Sequence, residues 1–212
     1  MDAREEVWTY ARKMNAAGLV TGSSGNVSRR TEDHRIAITP SGISYDNMSA
    51  DEIVYVDLES GKAVDSTREP SYELPLHLAI YRSRPAVQAI VHTHAPFVTT
   101  LSVLHRPLPP VIDEMLVYLG GTIEVADYAF TGTDALGVNV VRKLGDRTAV
   151  LLANHGNVCI GRDLAQALHV AQIMEAGARA YVQALQIGNP VPLPQSAIAA
   201  GHRLFEHKSR IP

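Results

Sequence analysis

The sequence predicts an α/β protein, a three-layer sandwich in which a central, mostly antiparallel sheet carries helices on both faces. Three observations predict it. Short apolar runs such as AVQAIV (86–91) and AVLL (149–152) read as buried strands. Polar or glycine turns at Glu32-Asp33 and Ser60-Gly61 join neighbouring strands as hairpins. Hairpins and helices then interleave without a regular βαβ alternation, which favours antiparallel pairing with helices packed on either side.

Each element has its own signal. Residues 2–17 place Val7, Tyr10, Ala11 and Met14 at helical spacing. TGSSGN (21–26) is a Gly/Ser loop that feeds a strand over 27–30, paired with a second over 35–39. TPSG (39–42) is a turn, and strands over 53–58 and 62–64 form another hairpin. Ser71 is placed to cap a helix running to about Arg82. A strand over 86–92 and a helix over 96–104 follow, then the proline-rich connection PLPPVIDEM. Strands near 112–117 and 123–126 come next, with a helix capped by Thr133 or Asp134 and ending at Leu144. Strands over 148–153 and 157–160 flank an Asn-His-Gly turn. A long helix over 163–187 stops at Gly188-Asn189-Pro190, and a short C-terminal helix closes the chain.

Composition narrows the function classes. The 212 residues, 46% hydrophobic, suffice for one well-packed unit, so residues 1–212 are expected to form a single domain. A net charge of −3 gives no electrostatic case for nucleic acid. No apolar run has the length of a membrane span, and MDAREEVW lacks a signal-peptide core. The lone Cys159 excludes an intramolecular disulfide and fits a reducing cytoplasm. It reads as a packing residue rather than a nucleophile.

The segment VHTHAP carries most of the chemistry. Residues two apart on a strand face the same way, so His92 and His94 present two imidazoles side by side. ANHG repeats the design: an apolar strand, then His155, then glycine. Three imidazoles make the ligand set of a catalytic metal site with one position left open. Upstream, Glu73 in EPSYELPLH is a candidate carboxylate for the same centre. Nitrogen and oxygen ligands of this kind suit Zn2+ and equally Mn2+, Co2+ or Fe2+. The other six histidines, His34, His77, His105, His169, His202 and His207, read as ordinary surface or core residues.

Two further loops share a chemistry. Gly22–Asn26 and Ser41-Gly42 offer small residues, backbone N–H groups and short polar side chains, which cradle an oxyanion without a full positive charge. Taken singly each is an ordinary turn. Ser71, at an expected helix start and two positions before Glu73, ties the anion loops to the metal motif.

These segments together resemble the class II aldolase/adducin family. The shared pieces are GSSGNVS, ITPSGI, PSYE, VHTHAP, Gly120-Gly121, Gly132-Thr133, LLANHG and the long helix that follows, from about residue 5 to residue 193. The resemblance implies a zinc ion on His92, His94 and His155, with Glu73 as fourth ligand or catalytic base. It implies a substrate phosphate held by Asn26, Ser41, Gly42 and Ser71, with Gly25 and Tyr72 adjacent. It also implies a metal-dependent aldehyde-lyase acting on a small phosphorylated sugar, a ketose 1-phosphate of the L-fuculose 1-phosphate kind. The products would be dihydroxyacetone phosphate and an aldehyde. Family members of this type are homotetramers with active sites between subunits.

The sequence departs from the family at the proton donor. The aldolases carry a tyrosine shortly before the Gly-Gly pair, reaching the neighbour's site. Glu114 occupies that register here, and Tyr118 lies four residues further on. The family's C-terminal tyrosine has no counterpart in HRLFEHKSRIP. Glu114 is therefore the candidate acid, with Tyr118 or water as alternatives. Rival readings within the fold are a pentulose-5-phosphate 4-epimerase, a decarboxylase or dehydratase, and a 5-deoxyribulose-phosphate aldolase. The epimerases carry aspartate where Glu73 stands. A non-enzymatic adducin-like module need not retain its ligands, and this chain has all four.

Overall fold

A computed structural model of the chain describes residues 2–64 and 66–211. Eight strands form the sheet: β1 Asn26–Arg30, β2 Arg35–Ile38, β3 Val54–Asp57, β4 Ala63–Val64, β5 Ala89–Thr93, β6 Val125–Ala126, β7 Ala149–Leu152 and β8 Gly156–Gly161. Their order is β4-β3-β2-β1-β5-β8-β7-β6. Every pairing is antiparallel except β6 with β7, which is parallel.

The period-2 pattern of the strands builds two cores, one on each face. Ala37, Ala89, Val91, Leu151 and Cys159 join one; Ile36, Ile38, Ile90, Val150 and Val158 join the other. Helices α1 (Ala3–Ala16), α3 (Pro96–Val103) and α6 (Leu164–Ile187) close the first core. Helices α2 (Leu74–Ser83) and α5 (Asp134–Leu144) close the second. The expected three-layer sandwich is thus observed. Cys159 is buried in the first core, and burial pushes its thiol pKa up, as suits a packing residue.

Four expectations need correction. The segment expected as a strand near 112–117 is a helix, α4 (Asp113–Leu119). Met115, Leu116 and Leu119 are its buried stripe, Asp113 and Glu114 sit in its first turn, and Gly120 ends it at φ 81°. The β-branched pair Val111-Ile112, which favours extended backbone, precedes the element. Second, Ser71 does not cap α2. Glu73 holds that position, Leu74 and Pro75 open the first turn, and the Ser71 hydroxyl accepts from the Glu73 N–H at 3.3 Å. Third, β5 begins at Ala89 rather than 86, because Ala86 and Val87 are still in the turn after Pro85. Fourth, the C-terminal helix α7 (Gln195–Lys208) is 14 residues long. It docks on α4: a Cβ at Gly120 would meet the Phe205 ring at 2.6 Å, so this corner needs glycine for space as well as for φ.

Candidate metal centre and anion cleft

The centre is assembled at one end of the middle strands. In the β1–β5 ladder Asn26 pairs with His92, and across β5–β8 His92 pairs with Val158 and Thr93 with Asn157. His92 Nδ1 donates to the Asn157 carbonyl at 2.8 Å, so Nε2 is the nitrogen turned into the centre, open to a metal ion or a proton. His94 follows β5 directly, its N–H bonded to the Leu19 carbonyl at 3.2 Å. The start of α3 behind it is fastened by Glu175 of α6, whose carboxylate accepts from the N–H groups of Phe97 (3.0 Å) and Val98 (2.9 Å). His155 sits in the turn between β7 and β8, where Asn154 takes a left-handed φ of 56° and bonds His105 at 2.6 Å.

The three imidazoles form a nearly equilateral set, with ring centroids 4.7 to 4.8 Å apart. Glu73 closes the group from the start of α2: Oε2 is 2.8 Å from His92 Nε2 and Oε1 is 3.1 Å from His155 Nε2. One ligand atom from each of Glu73, His92, His94 and His155 lies within 4.8 Å of the others. Among the described residues this is the one such convergence of His, Cys, Asp and Glu. The donor set fits a divalent cation. His92 Nε2 and His94 Nε2 stand 2.8 Å apart, and facing lone pairs at that distance repel unless a proton or cation lies between them.

Electrostatics follow from burial and proximity. Burial works to raise the Glu73 pKa, but His92 and His155 outweigh it and hold the carboxylate below its usual range. His94 is pushed down to about 3 by burial and by the neighbouring His92 and His155, which keeps it a neutral ligand.

A cleft of about 190 Å³ opens onto this group. Its lining includes Gly25, Asn26, Ser41, Gly42, Ser71 and Tyr72, together with Glu73, His94 and His155. The anion-loop residues expected from the sequence are thus beside the ligand cluster. Gly25 has φ 70° and a Cβ there would meet the His92 carbonyl at 2.6 Å, so the loop can turn against β5 only with glycine. A wider groove of about 580 Å³ runs along α6, beside Phe97, Glu175 and Arg179, but it holds none of the ligand cluster.

Two candidates are placed differently. Glu114 is exposed on α4 and does not line this chain's cleft. Tyr118 packs edge-on against His169, ring centroids 4.7 Å apart, also away from the cluster. Asn26 lies deeper than an anion ligand needs, only 2% exposed; its amide donates to Glu73 Oε2 at 2.8 Å and its oxygen meets His77 Nε2 at 2.5 Å.

Sequence reasoning missed Thr131, His77 and Ser28. Thr131 donates to Glu73 Oε1 at 2.6 Å from the loop before α5. A Cβ at Gly132, beside it, would strike the Tyr72 ring at 2.3 Å. His77 and Ser28 lie behind Asn26. The available signal for His77 was its position four after Glu73, one helical turn on.

Fold and site are of the class II aldolase type, with a His/Glu cluster that could hold a divalent ion. The sequence profile of the Class II Aldolase and Adducin N-terminal domain matches residues 5–182, and the chain belongs to that family. A 5-deoxy-D-ribulose 1-phosphate aldolase of Bacillus thuringiensis is 36% identical over 204 residues, 96% of this chain and 95% of that one. The L-fuculose phosphate aldolase of Escherichia coli K12 is 38% identical over 181 residues, 85% of this chain and 83% of that one. A solved L-fuculose 1-phosphate aldolase superposes with TM-score 0.91 at 34% identity, covering 97% of this chain and 96% of its own.

Proposed function

We propose that the chain catalyses reversible cleavage of a ketose 1-phosphate to dihydroxyacetone phosphate and an aldehyde. The observation that carries this reading is a buried carboxylate within ligand distance of two imidazoles, at the floor of a cleft rimmed by anion-binding turns. His92, His94, His155 and Glu73 would hold one divalent ion, zinc in the first instance, with Mn2+, Co2+ or Fe2+ compatible with the same donors. When bound, the ion supplies Lewis acidity to the substrate's carbonyl and hydroxyl oxygens.

The chain's own residues do the rest. Backbone turns at Gly25 and Gly42 and the hydroxyls of Ser41 and Ser71 receive the phosphate, with Tyr72 beside them and the remaining Asn26 N–H within the same cleft. Glu73 takes the proton from the carbon next to the carbonyl. Its low pKa among the imidazoles makes it a weak base at rest, so it must swing clear of them to act, which relieves the charges that depress it. Thr131 and Asn26 hold its two oxygens before that move. Glu114 of a neighbouring subunit would give the proton to the aldehyde oxygen, and Tyr118 or water are the alternatives. This reading takes the enzyme as a single-domain, cytoplasmic homotetramer; the lone buried cysteine suits that compartment.

A second reading concerns the sugar. The relative from Bacillus thuringiensis, aligned over nearly its whole length, favours a 5-deoxypentulose 1-phosphate over L-fuculose 1-phosphate. The acid in place of tyrosine at position 114 separates this chain from the fuculose pattern as well. Product analysis decides both questions: dihydroxyacetone phosphate with a panel of aldehydes, in zinc, manganese or cobalt, should yield one preferred ketose 1-phosphate. Absence of carbon–carbon bond formation or cleavage with every aldehyde and metal would reject the aldolase reading.

A further inference from the structure

Behind the candidate base lies a run of buried polar groups with no part in the reaction as derived above. Tyr81, Ser28 and His77 are fully enclosed. The Tyr81 hydroxyl is 2.9 Å from Ser28 Oγ, Ser28 Oγ is 2.6 Å from His77 Nδ1, and His77 Nε2 is 2.5 Å from Asn26 Oδ1. Asn26 Nδ2 then donates to Glu73 Oε2 at 2.8 Å. Four consecutive contacts thus lead from the interior of α2 to the carboxylate.

Donor and acceptor chemistry fixes the direction of this chain. An ionised carboxylate only accepts, so Asn26 must turn its NH2 toward Glu73. That leaves its carbonyl oxygen, which also only accepts, facing His77. His77 Nε2 must therefore carry the hydrogen. A fully buried imidazole without a carboxylate partner is neutral, so Nδ1 is a lone pair and Ser28 must donate to it. Ser28 is then free to accept from Tyr81. All four hydrogens point one way, toward Glu73.

The other arrangement is costly. With His77 protonated on Nδ1, or absent, its hydrogen would no longer hold the Asn26 carbonyl, and only the carboxylate would oppose a flip of Asn26 that sets a carbonyl oxygen against a carboxylate oxygen. Burial makes such a mismatch worse than it would be in water. Glu73 and His77 also sit one turn apart at the start of α2, so one helix presents the carboxylate and the imidazole that orients its partner.

We propose that His77, backed by Ser28 and Tyr81, is a positioning residue for Glu73 and acts through the orientation of the Asn26 amide. It touches neither substrate nor ligand set. Its effect on rate rests on the reading of Glu73 as base; the tautomer itself does not.

Two measurements test it. The first needs no activity: long-range 15N–1H correlation of the metal-free protein at neutral pH should show His77 as a single Nε2–H tautomer with a slowly exchanging hydrogen. An Nδ1–H tautomer, or rapid averaging of the two, overturns the proposal. The second uses the metal-loaded enzyme. His77→Phe should keep its metal and bind dihydroxyacetone phosphate with KM within about twofold, yet exchange the substrate's α-proton about tenfold to a hundredfold more slowly, as a misplaced group would. His77→Gln, whose amide can donate to Asn26, should recover part of that loss. Tyr81→Phe deletes a single hydroxyl at the far end and should slow exchange a few-fold, which keeps the test open if His77→Phe does not fold. Wild-type exchange in both Phe variants overturns the positioning role, as does a loss of stability and metal that parallels the loss of rate. If instead Glu73→Gln exchanged normally, the base assignment would fail while the tautomer result stood.

Discussion

The floor and the rim of the cleft are built on different principles. On the floor, His92, Asn26, Glu73 and Ser71 are at most 8% exposed, and Asn26 and Glu73 each have protein partners on both polar ends. On the rim, Ser41, Gly42 and Tyr72 are exposed, and what the fold fixes there is backbone shape, with left-handed turns at Gly25 and Gly42. A buried group whose partner is removed bears the full desolvation penalty, whereas an exposed hydroxyl falls back on water. The floor should therefore govern chemistry in large steps, and the rim should govern substrate affinity in small ones.

His94→Ala is the largest expected effect. It removes one of the three imidazoles from a set whose ligand atoms lie within 4.8 Å of one another. Metal analysis of the purified variant should find less than one ion per four chains, and turnover should be undetectable. Stoichiometric metal in that variant would break the assignment of the floor as a metal centre.

Glu73→Gln comes next. The amide keeps the shape and much of the hydrogen bonding, so fold and phosphate binding should persist. Exchange of the α-proton of dihydroxyacetone phosphate with solvent should fall on the order of 10²–10⁴-fold, as for loss of a general base. Normal exchange would move the base to another residue.

Glu114 sharpens the comparison because it belongs to neither region of its own chain. Glu114→Ala should lower cleavage by roughly 10²-fold, at the lower end for a general acid, while α-proton exchange stays near normal. Reassembled mixed oligomers of Glu73→Gln and Glu114→Ala chains should regain part of the activity, since a site that draws on two chains can combine one intact residue from each. No recovery in oligomers shown to be mixed would place Glu114 outside the neighbour's cleft, and normal turnover in Glu114→Ala would turn attention to Tyr118 or water.

The same division explains what could be read from the sequence. The sandwich was legible because β7 is apolar throughout, β5 opens on the apolar run Ala89-Ile90-Val91, and the hairpin turns carry glycine or paired polar residues. His92, His94 and His155 were legible because strand period and strand ends are local properties. The strand expected near 112–117 failed because Val111-Ile112 favour extended backbone. What makes Asp113–Leu119 a helix is its docking on α6 and α7, with Met115 against Gly177 and Leu116 against Gly201. His77 was read as an ordinary histidine because its partners, Asn26 and Ser28, lie 51 and 49 residues away and meet it only through the β1–α2 packing. Thr131 was hidden in the same way, 58 residues from Glu73.

The smallest expected effect tests the rim. Ser41 is exposed, uncharged and held by its backbone, the Ser41 N–H donating to the Glu69 carbonyl at 3.0 Å. Ser41→Ala should therefore leave the turn intact and remove one hydroxyl contact to phosphate, worth about 1 kcal/mol. A phosphorylated substrate should show a KM raised by about fivefold with kcat nearly unchanged, and a non-phosphorylated analogue should show no change. Asn26→Ala is the contrasting case. It lies 2% exposed between Glu73 and His77, so its loss should lower kcat for phosphorylated and non-phosphorylated substrates alike, in addition to any phosphate contact it makes. Two variants, four substrate–parameter pairs and one assay thus separate the regions. A KM-only effect in Asn26→Ala would return that residue to the rim, and a kcat loss of equal size in Ser41→Ala would show that the phosphate turns and the floor act as one unit.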